Sequence, residues 1–314
     1  TEVIYMSIYK EEMMTEGLGH PLFVREWLPE GDIRGLVQLC HGMAEHSARY
    51  AKLGEYLASY GYAAFCHDHR GHGKTCREGE VLGYFGETGG WDALVNDAVA
   101  LGEIMRHRYP DGPYILFGHS MGSLVVSSMA ALGRPTLYDA FILCGSPAPN
   151  PLAPVGKAMA RGFCRIGMSD KPNDILNAMA FSSNNRHFKK ESSSNAWLSS
   201  DGAQVGKYDR DPLCGFHFTS AGFYDLFDGL SRVRSDGWAV KTECKPFLLI
   251  SGGDDPVGNC GKGPEWIERQ LKACGREVKN IIYPGKRHEI LNEKDCDQVF
   301  TDIITWITER ADNE

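Results

Sequence analysis

An α/β fold, a largely parallel sheet flanked by helices and broken by a helical insertion, is what this chain predicts, and three observations carry the prediction. Short apolar runs alternate with helical patterns through the first half, as βα units require. That rhythm stops after Cys144 and returns only at Phe247. The length, 314 residues, suits one large α/β core carrying an insertion.

The elements follow in order. Residues 35–40 read as a buried strand, with a helix over 48–60 behind it. Residues 62–66 form the next strand, which ends in a loop rich in Gly and His at 67–73. A helix over 91–108 is stopped by Pro110, Gly112 and Pro113. A strand at 114–117 is followed by a helix over 121–132, then a strand at 140–144. Between 147 and 235 no strongly β-branched run occurs, and 182–200 is rich in Ser and Asn, so this stretch reads as a mostly helical cap. Sheet rhythm resumes with a strand at 247–250, a helix over 263–274, a strand at 278–283 and a closing helix over 294–310. The predicted organisation is therefore a core from 1–146 and 236–314, with the cap at 147–235.

Composition excludes several functions. Hydrophobic residues make up 42% and charged residues 24%, ordinary values for a globular protein whose core needs no disulfides or metals. A net charge of −8 argues against a nucleic-acid partner, since phosphate binding relies on clustered Lys and Arg. The ten cysteines form no C-x-x-C pair, and several, such as Cys40, Cys66 and Cys144, sit in apolar runs. That usage suits a reducing cytoplasm. No apolar run approaches the roughly 18 residues of a membrane span, and no secretory leader is visible at the N-terminus.

The chemistry begins at Gly118-His119-Ser120-Met121-Gly122. This is a G-x-S-x-G turn between an apolar strand and a helix of small residues, the context in which a serine hydroxyl is raised above a sheet. A serine needs a base to remove its proton. In chains with this turn the acid and then the histidine follow the serine. Of the eleven histidines, only His288, just past the last predicted strand, meets that order. The acid belongs at the end of the 247–250 strand, where Asp254 and Asp255 stand side by side. Its role is to fix the imidazole tautomer and stabilise the imidazolium. An oxyanion needs preorganised N–H donors. One comes from Met121, and the second from the loop His41-Gly42-Met43-Ala44-Glu45-His46, where Gly42 lets Met43 N–H turn inward.

Five segments together, 41–46, 68–73, 118–122, 252–255 and His288, resemble the monoacylglycerol lipase and lysophospholipase branch of the α/β-hydrolases. The resemblance spans nearly the whole chain. It implies an α/β-hydrolase fold with an eight-stranded, mostly parallel sheet, and a Ser120–His288–Asp255 triad, because the acid of such proteins lies three residues after a glycine, here Gly252. It also implies Met43 and Met121 as oxyanion donors, an acyl-enzyme route, and no cofactor or metal. The substrate class it implies is a carboxylic ester with one acyl chain. Aryl esters of the cinnamoyl kind, thioesters and N-terminal peptide bonds are the alternatives, and a non-enzymatic binder is the outlying one. One departure stands out: Ala44 replaces the second glycine of the usual H-G-x-G-E-H loop.

Two further patterns occur. Cys66, His67, Asp68, His69, His72 and Cys76 resemble a zinc set, but they coincide with the D-x-R-G-H-G loop, where Asp68 and Arg70 are expected to pair, and a metal is not expected. In the cap, Leu152, Val155, Met159, Phe163 and Ile166 recur at helical spacing, with Lys157, Arg161 and Arg165 on another face. This amphipathic pattern predicts packing against the core, with transient contact at a membrane surface as the second reading. Leu152, Met159, Phe163, Leu213, Phe216 and Phe223 are the expected lining of an acyl pocket.

Overall fold

Eight strands form a single sheet in the order β1-β2-β4-β3-β5-β6-β7-β8 in the computed structural model, which describes residues 7–133 and 137–311. The strands are β1 (Ile8–Met14), β2 (Leu22–Leu28), β3 (Gly35–Cys40), β4 (Tyr62–His67), β5 (Tyr114–His119), β6 (Ala140–Cys144), β7 (Phe247–Gly252) and β8 (Val278–Tyr283). β1 and β2 pair antiparallel with their neighbours, and β3 to β8 are parallel. The helices are α1 (Ala51–Ser59), α2 (Gly90–Arg108), α3 (Met121–Met129), α4 (Ala153–Phe163), α5 (Asp174–Phe181), α6 (Gly202–Arg210), α7 (Ser220–Val233), α8 (Trp238–Lys241), α9 (Lys262–Ala273) and α10 (Asp297–Ala311).

Strand alternation builds two cores. Along β5, Tyr114 and Leu116 join the layer under α2, α3 and α9, while Ile115 and Phe117 join the layer under α1 and α10. β6 and β7 divide the same way. A strand buried on both faces reads as a continuous apolar run, which is why these strands are visible in the sequence. The one polar residue inside β3, Gln38, is satisfied on both ends: its Nε2 donates to Ala98 O (2.8 Å) and its Oε1 accepts from Tyr114 Oη (2.6 Å).

Sequence reasoning overlooked β1 and β2. β1 is an edge strand exposed at all but its last residue, and β2 carries Arg25 and Glu26 at its centre. Both charges are buried by partners distant in sequence. Arg25 donates to Ser47 Oγ and Asp68 Oδ1, and Glu26 accepts from Arg108 (2.7 Å) and Tyr109 (2.9 Å). The expected Asp68–Arg70 pair is not formed. Arg70 makes a two-pronged contact with Asp97 (2.9 and 3.0 Å), and Asp68 accepts from Arg25, Ser47 and the Lys74 N–H instead. The loop turns at Gly71 and Gly73, both at positive φ, and aims Arg70 outward toward α2.

Between β6 and β7 lie only α4 to α8 and short turns. The apolar pattern of α4 faces the other way from the expectation. Its small residues Ala153, Gly156 and Ala160 are buried against α7; a Cβ at Gly156 would sit 2.8 Å from a Phe227 ring carbon. Leu152 (66% exposed), Val155, Met159 and, in the following turn, Ile166 (72%) face solvent. Close approach of two helices selects small side chains at the contact, and here that selection overrides the usual apolar-inward rule. No helix among the described residues is long and apolar enough to cross a membrane.

Candidate active site

Ser120 stands at the turn from β5 into α3 with φ 52° and ψ −118°, a backbone conformation costing about 1–3 kcal/mol for a residue with a Cβ. Three hydrogen bonds offset that cost. Ser120 N–H donates to Cys144 O (2.9 Å), and Ser120 O accepts from both Ser123 N (2.9 Å) and Ser123 Oγ (2.6 Å). The flanking glycines are sterically required. A Cβ at Gly118 would lie 2.3 Å from Gly122 O, and one at Gly122 would lie 2.0 Å from Cys40 O.

His288, on the loop after β8, and Asp255, after β7, are both buried, with His288 Nδ1 3.0 Å from Asp255 Oδ2. Asp255 Oδ1 accepts from Val257 N (2.9 Å). Asp254 is exposed, and its N–H is held by Lys286 O (2.9 Å). Burial by itself would lower the His288 pKa, but the Asp255 carboxylate and its hydrogen bond raise it above the ordinary imidazole value. The His119 ring lies 4.7 Å from that of His288 and has the opposite fate: burial, then the neighbouring His288, holds it at about 4. Trp197, from the insertion, lies 5.2 Å from His288 by ring centroid.

Side chains hold the loop after β3 at two of its N–H groups. Gly42 N donates to Glu45 Oε1 (2.6 Å) and Ala44 N to His72 Nε2 (3.3 Å), while neither Met43 N–H nor Met121 N–H has a protein acceptor among the described residues. Ala44 sits at φ 52°, in the left-handed region where a glycine would be free of strain. The replacement noted in the sequence thus sits at a backbone conformation that suits glycine better than alanine. Ala44 O accepts from Gly215 N (2.9 Å) and Tyr208 Oη (3.2 Å) of the insertion.

Beneath this loop lies a network that sequence reasoning missed. Arg49 bridges Glu45 (2.5 Å) and Glu289 (two contacts of 2.6 Å). Burial would raise the Glu289 pKa, but Arg49 beside it holds the carboxyl at about 2. The i,i+4 spacing of Glu45 and Arg49 was the available signal. The link to Glu289, 240 positions along the chain, had none.

The zinc-like residues do other work. Among the described residues, the 66–76 segment brings no three metal-ligating atoms together. Its histidines bond one another and the loop as neutral rings: His69 Nδ1 faces His67 Nε2 (3.0 Å), His69 N–H donates to His41 Nε2 (2.9 Å), and burial holds His67 and His72 at about 4.

Ser120, His288, Met43 and Met121 share one cavity of about 690 Å³, a volume typical of small-ligand sites. Of the six cap positions expected to line it, only Phe216 does. Leu152 and Met159 face solvent, and Leu213 is half-buried outside the cavity. Phe163 packs against the core, and Phe223 is fully buried between Phe218 and Phe227. The apolar walls come instead from Leu124, Phe181, Leu226, Phe227 and Leu230. The arrangement can support acyl transfer: a hydroxyl on a strained turn, an imidazole backed by a buried carboxylate, and two unclaimed N–H groups.

Comparison with known proteins identifies the family. Residues 31–295 match the family described as "Serine aminopeptidase, S33". A monoglyceride lipase homolog of monkeypox virus is 29% identical over 92% of this chain and 95% of its own. A caffeoylshikimate esterase of Arabidopsis thaliana is 33% identical over 92% and 82%. The crystal structure of a thermostable carboxyl esterase from Bacillus coagulans, in complex with glycerol, superposes with a TM-score of 0.90 at 28% identity, covering 96% of this chain and 99% of that one. The chain therefore belongs to the serine aminopeptidase S33 family of α/β-hydrolases.

Proposed function

We propose that this chain, a carboxylic ester hydrolase, cleaves esters of single acyl chains, monoacylglycerols among them, through an acyl-enzyme formed on Ser120. The observation that carries the reading is the presence of a strained serine turn and a buried His288–Asp255 pair on one apolar-walled cavity. Ser120 Oγ attacks the ester carbonyl as His288 Nε2 takes its proton. The tetrahedral oxyanion is held by Met43 and Met121 N–H, and the alcohol leaves with the proton from His288. Water, activated by the same imidazole, releases the acid. Asp255 holds Nδ1–H, so that Nε2 is free to accept.

The acyl chain occupies the wall of Leu124, Leu226, Phe227 and Leu230. Each buried methylene contributes about 0.8 kcal/mol, so kcat/KM rises with chain length until the wall is covered. The resemblance to a caffeoylshikimate esterase supports a second reading, an aromatic acyl group in the same place. Aminopeptidase action is disfavoured. An N-terminal ammonium needs an unpaired carboxylate, and the two that line the cavity, Glu45 and Glu289, are both claimed by Arg49. The exposed apolar residues on and flanking α4 and α5, Leu152, Ile166, Ile175 and Met179 among them, with Arg161 and Arg165 alongside, form the face that meets a lipid surface, since α5 also walls the cavity.

Ser120→Ala tests the reading. It should abolish turnover of monolauroylglycerol and of a p-nitrophenyl ester, together with labelling by a fluorophosphonate probe, while the fold persists. Ordinary turnover by the purified variant would refute the assignment.

A further inference from the structure

The Ser- and Asn-rich stretch at 182–200 supplies none of the acyl-transfer groups, yet it walls the cavity through Ser183, Asn184, Asn185, Ser194, Asn195 and Trp197. Two of its amides are engaged. Asn185 accepts from Trp197 N (3.1 Å) and donates to Ser193 O (3.1 Å), and Asn195 donates to Asp209 (2.8 Å). Asn184 is different. It is only 7% exposed, and its carboxamide makes no hydrogen bond with another described residue while it borders the cavity. The amide is open to the cavity, not sealed off, so a substrate that displaces solvent from it must supply a hydrogen-bonding group of its own or leave a costly unmet pair.

The position of this wall identifies the part of the substrate it meets. Asn185 anchors Trp197, whose ring lies beside His288. His288 is the group that returns the proton to the departing oxygen, so the alcohol leaves past this wall while the acyl chain lies against the apolar one. We infer that Asn184 reads a hydroxyl on the alcohol portion of the substrate and makes the site selective for esters of polyols over esters of simple alkanols. A carboxamide offers both a donor and an acceptor, which suits adjacent hydroxyls; an alkyl alcohol leaves both unmet and dry. The inference rests on the ester-hydrolase reading above.

The test is kcat/KM for wild type and Asn184→Leu on matched esters: monolauroylglycerol against propyl laurate, and ethyl caffeate against ethyl cinnamate. In the variant the glycerol-to-propyl preference should fall about tenfold to hundredfold, and the caffeate-to-cinnamate preference should hold. Asn184→Ser, a smaller change in a site that keeps a hydroxyl, should lose part of the preference and supplies the same readout if the leucine does not fold. An unchanged glycerol-to-propyl ratio, with all rates lowered together, would reduce Asn184 to a structural residue and overturn the inference. A change confined to the caffeate pair would overturn it as well, by moving the hydroxyl to the acyl side. A wild type inert toward all four esters would refute the underlying reading, a result distinct from either.

Discussion

Replacing Asp255 by Asn should be far more damaging than replacing Asp254, and the hydrogen bonds around Asp255 say why. Val257 N–H already claims one carboxylate oxygen at 2.9 Å, and His288 Nδ1 claims the other at 3.0 Å. An asparagine must keep its single oxygen on the Val257 N–H, because a backbone donor cannot be satisfied by an NH₂ group. The amide nitrogen then faces His288 Nδ1 as a donor. The imidazole must accept there, carry its proton on Nε2, and lose the lone pair that takes the Ser120 proton. A wrong tautomer in such a triad lowers kcat by about 10⁴, which corresponds to roughly 5 kcal/mol of barrier. Because the Asp255 carboxylate also raises the His288 pKa, and the neutral ring is the active form, the acid limb of residual activity should move to lower pH. Asp254→Asn alters only an exposed side chain, since the link to Lys286 O uses its backbone N–H; its kcat/KM on a p-nitrophenyl ester should stay near wild type. Comparable losses in the two variants, or the reverse order, would refute the argument.

Arg49→Met should leave Glu45 and Glu289 buried without their cation, destabilising the fold by about 3–5 kcal/mol in urea unfolding. Because Arg49 holds the Glu289 pKa low, the stability it supplies exists above the ordinary glutamate pKa and fades in acid, so the loss should be larger at neutral pH than near pH 4. Asp225 is the opposite case: burial foremost raises its carboxyl to about 7 where it meets the start of α2. The folded state keeps a proton that the unfolded chain has released, so stability falls as pH rises toward 7, and Asp225→Asn should gain on wild type between about pH 5 and about pH 8 in thermal melts. Ile166→Asp with Ile175→Asp should weaken co-sedimentation with anionic phospholipid vesicles while leaving hydrolysis of a water-soluble ester unchanged; undiminished vesicle binding would place the lipid contact elsewhere.

What was legible in the sequence follows physical necessity. The turn around Ser120 could be read because its glycines answer clashes of about 2 Å with neighbouring backbone, so local sequence and local geometry determine each other. The interior strands could be read because burial on both faces demands unbroken apolar runs. β1 and β2 could not, because an exposed edge strand needs no apolar residues and β2 buries charges whose partners, Asp68 and Arg108, lie far along the chain. The cap lining could not be read either. Leu152 and Met159 look like core residues by spacing, but the contact of α4 with α7 is made by Ala153, Gly156 and Ala160, which turns the larger residues outward. Periodicity identifies an apolar face; it does not say what the face meets.

The insertion between β6 and β7 is therefore more than a roof. Both loops that carry the proposed chemistry lean on it through their backbones. Ala44 O, next to the Met43 donor, accepts from Gly215 N and Tyr208 Oη. On the other side His288 N and Glu289 N donate to Trp197 O (3.4 Å) and Leu198 O (2.7 Å). Ala44, Tyr208, Leu198, His288 and Glu289 are buried, and an unmet backbone donor or acceptor in such a place costs on the order of 1–3 kcal/mol. Ala44, at positive φ, directly follows Met43, so the contacts that hold its carbonyl also fix the path of the chain that presents Met43 N–H. Displacing the insertion would thus remove hydrogen bonds from the Met43 loop and the His288 loop together. The same segment walls the cavity and completes the backbone hydrogen bonds of the loops that border it.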